Sequence, residues 1–326
     1  MRPNTASAIR HPSLVIRMTS DEFRVTSLGK AEKVRILITG GSGMLGSDLL
    51  ESLGSLVGTQ IVAPGSGELD ICDKRTVDKC VQKISPDIII NCAAFTDVDG
   101  CESEKERATL VNALGPGNLA RAAKGARAFF IHISTDYIFD GKKGAPYTEE
   151  DEPNPLNVYG KTKLEGERLV TGAGGDWLIL RTSWLYGARR KNFVKTILGL
   201  CEKHDEISVV TDQRGSPTYT EDLARAIMAL IQKCQTSEVG GWTIFHIANK
   251  GSASRFELAQ EIIRLVGKDT KVRPITSSQW PRPAKVPADS SLDISKFEGE
   301  TNIALRPWQE ALADFLATLH PNTEKT

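Results

Sequence analysis

Val34-Arg35-Ile36-Leu37-Ile38-Thr39-Gly40-Gly41-Ser42-Gly43-Met44-Leu45-Gly46 is the stretch on which the fold turns. Val34, Ile36 and Ile38 read as a buried strand, because β-branched residues dominate and the chain then breaks at glycines instead of continuing as a helix. Gly40, Gly43 and Gly46 stand at G-x-x-G-x-x-G. The first permits a tight strand-to-helix turn, the second lets backbone come close to a pyrophosphate, and the third allows close helix packing. Backbone N–H groups at the start of that helix then face phosphates. No Lys-Ser or Lys-Thr follows the glycines, which argues against a triphosphate loop.

The elements downstream alternate as a doubly wound sheet requires. Leu45, Leu49, Leu53 and Leu56 recur at helical spacing over 44–56, and 60–63 is a short second strand broken by Pro64-Gly65-Ser66-Gly67. No acid or arginine stands at the end of that strand, which leaves NADPH against NADH open. Asp70 either serves a turn or cap or touches the adenine side with Ile71. A helix over 73–84 closes at Pro86, and 87–91 is a buried strand followed by Cys92-Ala93-Ala94-Phe95-Thr96. Ala93 and Ala94 leave room for a cofactor or simply pack closely. One helix is expected from Glu104 through Lys124, with Asn112 capping local backbone or bracing the sheet edge or the catalytic residues.

The strand 128–133 delivers Ser134, Thr135 and Asp136 at its carboxyl end, the side on which open α/β sheets bind ligands. His132 lies within that strand and reads as packed and hydrogen-bonded. Tyr159 and Lys163 stand four apart, on one face of a helix. An ammonium there is expected to lower the phenol's pKa and ease proton exchange. Thr135 or Ser134 then orients a substrate oxygen. Further strands are expected over 177–181, 207–211 and 242–247, and helices over 191–202, 221–233 and 254–266, the helix at 221 returning to the main domain.

Charge selects no polyanionic partner, since 41 Lys and Arg balance 41 Asp and Glu, and no nucleic acid polymer is expected. The six cysteines lack the spacing of a zinc ribbon, and His204 and His246 add no local ligand pattern, so no metal is assigned. Cys92, in an apolar run, reads as a buried free thiol. This usage fits a reducing cytosol, and no apolar run is long enough to span a bilayer. Residues 1–33 read as a flexible or processed extension, with Met18 an alternative start. Its arginine-rich, acid-poor composition leaves organellar import open beside a cytoplasmic location.

Taken together, these stretches resemble the dTDP-4-dehydrorhamnose reductase family, an extended short-chain dehydrogenase/reductase group. G-G-S-G-M-L-G at 40–46, C-A-A-F-T-D-V-D at 92–99, S-T-D-Y-I-F-D-G at 134–141 and P-L-N-V-Y-G-K-T-K-L-E-G-E at 155–167 carry the resemblance. R-T-S-W-L-Y-G at 181–187, N-F-V-K-T-I-L at 192–198 and D-Q-R-G-S-P-T at 212–218 extend it, and it spans 34–315.

The resemblance implies an α/β chain with a Rossmann-like, mostly parallel sheet over 34–185. A smaller substrate lobe follows over 186–326, with segments returning to the core. It implies NADPH or NADH held by Gly40, Gly43, Met44, Leu45, Gly46, Asp70, Ile71, Ala93, Ala94 and Thr96, together with Tyr159 and Lys163. Tyr159 is then the proton donor, Lys163 its electrostatic partner, and Thr135 the carbonyl-orienting group. Ser134, Asp136 and Trp184 fall at the sugar-nucleotide site, although Trp184 read locally is equally a core aromatic.

The implied reaction is reduction of the C4 ketone of dTDP-4-dehydro-6-deoxy-L-mannose to dTDP-L-rhamnose. The alternatives are another sugar-nucleotide ketoreductase or a non-catalytic NADP-binding regulatory subunit. Dimers are also implied, sometimes with magnesium near Asp48 and Glu221. Lys285-Val286 departs from the family's usual arginine pair, and Arg282 is the residue expected to compensate.

Overall fold

The computed structural model describes residues 15–19, 22–27, 30–54, 58–235 and 242–319. The extension expected over 1–33 lies partly outside these residues. Its described part forms a three-stranded antiparallel sheet of Val15–Thr19, Glu22–Ser27 and Lys30–Glu32. The expected end of the first helix at Leu56 also lies outside them.

Six parallel strands form the central sheet: β1 Val34–Thr39, β2 Thr59–Val62, β3 Ile88–Asn91, β4 Phe129–Thr135, β5 Trp177–Thr182 and β6 Trp242–His246. Their order is β6-β5-β4-β3-β1-β2. Chain order therefore reverses between β1 and β3, and in such sheets the crevice outside that reversal is where ligands bind. Ile36 lies opposite Ile88 and Thr39 opposite Asn91, so the loops after β1 and β3 leave the sheet side by side.

Alternating side chains send β1 into two cores, as a sheet covered on both faces requires. Val34, Ile36 and Ile38 pack with Leu45, Leu49 and Leu53 of α1 (Met44–Gly54). Leu223, Ile227 and Leu230, from a helix over Thr220–Gln235, complete that layer. Leu37 instead joins Ile89, Phe130 and Ile179 under Val77 and Val81 of α2 (Lys74–Ile84) and Leu119 of α3 (Gly115–Ala126). Each aliphatic chain so buried contributes roughly 1.5–3 kcal/mol.

The helix expected from Glu104 through Lys124 is present, running from Lys105 to Ala126 with one widened turn inside it. A separate short helix, Val98–Ser103, precedes it, and within it Lys105–Thr109 passes through a π-helical turn, Leu110–Leu114, into α3. Such wide turns mark functional places in helices, and this one holds Asn112 fully buried. The Asn112 amide accepts from Phe95 N–H at 2.8 Å and donates to Phe95 O at 3.0 Å. It also donates to the Thr162 hydroxyl at 3.3 Å. Asn112 thus braces the loop after β3 against α4 (Val158–Ala173) instead of capping its own helix.

The carboxyl-terminal region builds a separate lobe around Val194, Ile197, Leu258, Ile262, Leu312 and Phe315. Its own strand pairs are short: Glu206–Val210 lies parallel to Lys271–Ile275, and Arg214–Gly215 antiparallel to Ala253–Ser254. As expected, the helix at 220 leaves this lobe to cover the sheet.

Candidate active site

A cavity of about 780 Å³ opens at the carboxyl ends of β1, β3 and β4, on the side where the strand order reverses. Gly40 turns at φ +70°, and a Cβ there would stand 2.6 Å from the Ala93 nitrogen. Neither the conformation nor the space admits another residue. Gly43 N–H closes the turn on Gly40 O at 2.8 Å, and a Cβ at Gly46 would run into that same carbonyl. The helix can therefore start against the strand end, with its first N–H groups lacking intrahelical acceptors. Such a cradle of bare backbone fits a pyrophosphate, and Met44, Leu45, Asp70, Ile71, Ala94 and Thr96 line the cavity beside it. Asp70 also takes the Cys72 N–H at 2.9 Å, so its turn role and its place at the cavity coexist.

Thr135, Tyr159 and Lys163 meet on the far wall of this cavity. Asn157 caps α4 by accepting the Gly160 N–H at 2.8 Å, which aims the first turn and Tyr159 at the end of β4. The Thr135 hydroxyl lies close to the Tyr159 phenol, and it donates to Asp136 at 3.1 Å. Ser134, the other candidate orienting group, gives its hydroxyl to Glu167. That carboxylate is held by Arg181 at 2.8 and 3.1 Å in a buried pair, so the Ser134 hydroxyl is engaged by the framework under the site while the residue lines the cavity.

The expected lowering of the tyrosine by the lysine is not what this arrangement gives. Burial raises the Tyr159 pKa, and the neighbouring Thr135 hydroxyl only partly opposes it. Lys163 directs its amine elsewhere, donating to Ile133 O at 2.6 Å and standing 3.4 Å from His132 Nε2. Burial brings its own pKa down to about 8, against the opposing effects of Glu167 and Cys92. Tyr159 is accordingly a protonated acid at neutral pH, and Lys163 is the group near its titration point. Cys92 is free, and burial pushes its thiol up to about 12.

The third wall comes from the lobe. Trp184, at φ +46°, lines the cavity while also packing against the core of the lobe, its ring lying over Gly215, where a Cβ would come within 2.5 Å of it. Asp136 is buried and accepts from Ser183 at 2.9 Å and Ser290 at 2.5 Å. Arg255, which the sequence reading missed, lies in the same wall. Its guanidinium sits 3.4 Å over Trp184 and 4.8 Å over Phe193, near Tyr137. No ion pair to a carboxylate of a described residue engages it. Arg282, the residue expected to compensate for Val286, is instead paired with Asp99 at 3.0 Å. Arg190 also lines the cavity and holds Ser42 O at 2.9 Å, from a segment that offered no motif of its own. Away from the cavity, Asp48 accepts from Thr220, and Glu221 is engaged by Arg225 and by Tyr219 at 2.6 Å. Among the described residues no three His, Cys, Asp or Glu gather as a metal site.

A profile described as the RmlD substrate binding domain matches residues 34–320. The chain belongs to this family. It is thereby an oxidoreductase of the extended short-chain dehydrogenase/reductase type, as the sequence resemblance implied. In this family it is 42% identical over 290 residues to a dTDP-4-dehydrorhamnose reductase of Mycolicibacterium smegmatis, covering 87% of this chain and 86% of that protein. It is 39% identical over 298 residues to a probable dTDP-4,6-dihydroxy-2-methyloxan-3-one 4-ketoreductase of Streptomyces antibioticus, covering 90% and 99%. A solved dTDP-4-dehydrorhamnose reductase from Bacillus anthracis, in complex with NADP, superposes with a TM-score of 0.83 at 37% identity, covering 88% of this chain and 99% of that one. All three relatives are named as reductases of dTDP-linked compounds, and the names differ in the compound.

Proposed function

We propose that this RmlD-family chain reduces the C4 ketone of a dTDP-linked 6-deoxyhexulose with NADPH or NADH, and that the sugar is dTDP-4-dehydro-6-deoxy-L-mannose, giving dTDP-L-rhamnose. The observation that carries this reading is that Thr135, Tyr159 and Lys163 line one cavity together with the Gly40–Gly46 turn. When bound, the reduced nicotinamide supplies the hydride. Gly40, Gly43 and Gly46 admit its pyrophosphate, and Ala93, Ala94 and Thr96 line its path toward Lys163.

Thr135 holds the substrate oxygen in reach of the Tyr159 phenol, which gives that oxygen its proton as the carbonyl is reduced. Burial helps by keeping Tyr159 protonated until the oxygen gains charge. The phenolate left behind is balanced by Lys163 in its ammonium form. Arg255 offers a planar fork of donors to the diphosphate, pre-set by stacking on Trp184. Such an arginine supplies the anion contact that Val286 lacks.

The test is incubation with dTDP-4-dehydro-6-deoxy-L-mannose and either reduced nicotinamide, following the loss of reduced cofactor and identifying the product epimer. Stoichiometric cofactor oxidation with dTDP-L-rhamnose as product is expected. Oxidation only with a different keto sugar would move the chain to another sugar-nucleotide ketoreductase, and cofactor binding without oxidation of any would leave the regulatory reading.

A further inference from the structure

A buried chain of hydrogen bonds runs from β1 across the sheet to Lys163, and its donors and acceptors can be assigned without ambiguity. Asn91 Oδ1 receives the Ala93 N–H at 3.1 Å and the Thr39 hydroxyl at 2.6 Å. A backbone N–H can only donate, so the amide atom facing it is the oxygen. The Asn91 NH2 therefore faces His132 Nδ1, at 3.0 Å, and that ring nitrogen must present its lone pair. His132 is fully buried, and burial with the neighbouring Lys163 holds its pKa well below the usual histidine range. It is neutral, and its single proton lies on Nε2.

Nε2 faces Lys163 Nζ at 3.4 Å. Two N–H donors thus meet whenever Lys163 is an ammonium, which has no lone pair to offer. A neutral amine resolves the contact: it accepts from His132 Nε2–H while still donating to Ile133 O at 2.6 Å. The spacing, long for a normal hydrogen bond, suits a pair that is attractive in one protonation state and repulsive in the other.

We propose that His132 is a positioning residue that weakens the hold of Lys163 on its proton, through a ring tautomer fixed by Asn91, and so sets the upper pH limit of the reductase. The other groups facing Lys163 are Glu167 on its own helix and Cys92 after β3, and both favour the ammonium. His132 from β4 opposes them. Without the Asn91 amide the ring would take the other tautomer, accept from the ammonium and stabilise it. The inference rests on Lys163 belonging to the proton-handling site proposed above. Its direct test needs no substrate, so it fails separately from that reading.

The tautomer is read by nitrogen NMR of the full chain labelled at histidine. A lone pair at Nδ1 and a proton at Nε2 of His132 are expected, and a proton at Nδ1 or an imidazolium overturns the proposal. The Asn91→Asp variant replaces the NH2 with a second carboxylate oxygen and should move the proton to Nδ1. The alkaline limb of kcat/KM should then move up by about one pH unit. A limb that moves while the tautomer stays at Nε2 reports only the added charge and overturns the proposal. So does a tautomer that switches while the limb stays. Should the variant not fold, the wild-type tautomer alone still decides whether the relay exists.

Discussion

Lys163 and Arg255 show how one side chain is made to matter by what surrounds it. Burial brings Lys163 to about 8, so the ammonium predominates below that pH and is lost above it. The sign follows from its proposed role: if the ammonium balances the phenolate, kcat/KM for reduction should fall tenfold per pH unit as pH rises past about 8. Tyr159, raised by burial, stays protonated throughout and adds no limb of its own there. A profile flat to pH 10 would remove Lys163 from the mechanism. Arg255, stacked on Trp184 and free of any carboxylate ion pair among the described residues, is proposed as the diphosphate ligand. Arg255→Ala should raise KM for the sugar nucleotide about 10- to 100-fold, the range of a lost charge-assisted contact, with nicotinamide affinity unchanged. Arg282→Ala should change substrate affinity much less, because that guanidinium is paired with Asp99. Titration of both variants with each ligand separately distinguishes them.

Among the elements, the β1 turn is the one whose geometry leaves least freedom. Gly40→Ala forces a side chain into a left-handed backbone and against the Ala93 nitrogen, backbone on backbone, so nothing nearby can give way. We expect a loss on the order of 3 kcal/mol in urea unfolding, along with loss of dinucleotide binding. A variant as stable as the wild type would show that the turn is not strained in this way. This turn was legible in the sequence because its requirements are local: β-branched residues, then glycines at fixed spacing. The Tyr159–Lys163 pair and the Ser134-Thr135-Asp136 strand end were legible for the same reason. The π turn was not, since its cause is Asn112 reaching the Phe95 backbone and Thr162, contacts that exist only after α3 and α4 have packed. His132 read correctly as a packed, hydrogen-bonded residue, but its tautomer depends on Asn91 and Ala93 across the sheet. Arg255 carried no signal, for it starts an ordinary capped helix far from the glycines and joins the cavity only through the fold of the lobe.

At the scale of the whole molecule, the site exists only where lobe and sheet are joined. Ser290 reaches Asp136 at 2.5 Å, and Asn157, the cap of the helix carrying Tyr159, donates to Lys285 O at 2.7 Å. These contacts join the lobe's wall of the cavity to the sheet that carries the glycine turn, while the lobe carries no known motif at its cation. The claim on which everything else depends is that Tyr159 supplies the proton. It is tested most directly by steady-state turnover of dTDP-4-dehydro-6-deoxy-L-mannose with reduced nicotinamide, comparing wild type and Tyr159→Phe after nicotinamide binding has been matched by direct titration. The expected result is equal cofactor affinity with kcat lower by about 10²–10⁴-fold; equal turnover in the two proteins would contradict the mechanism.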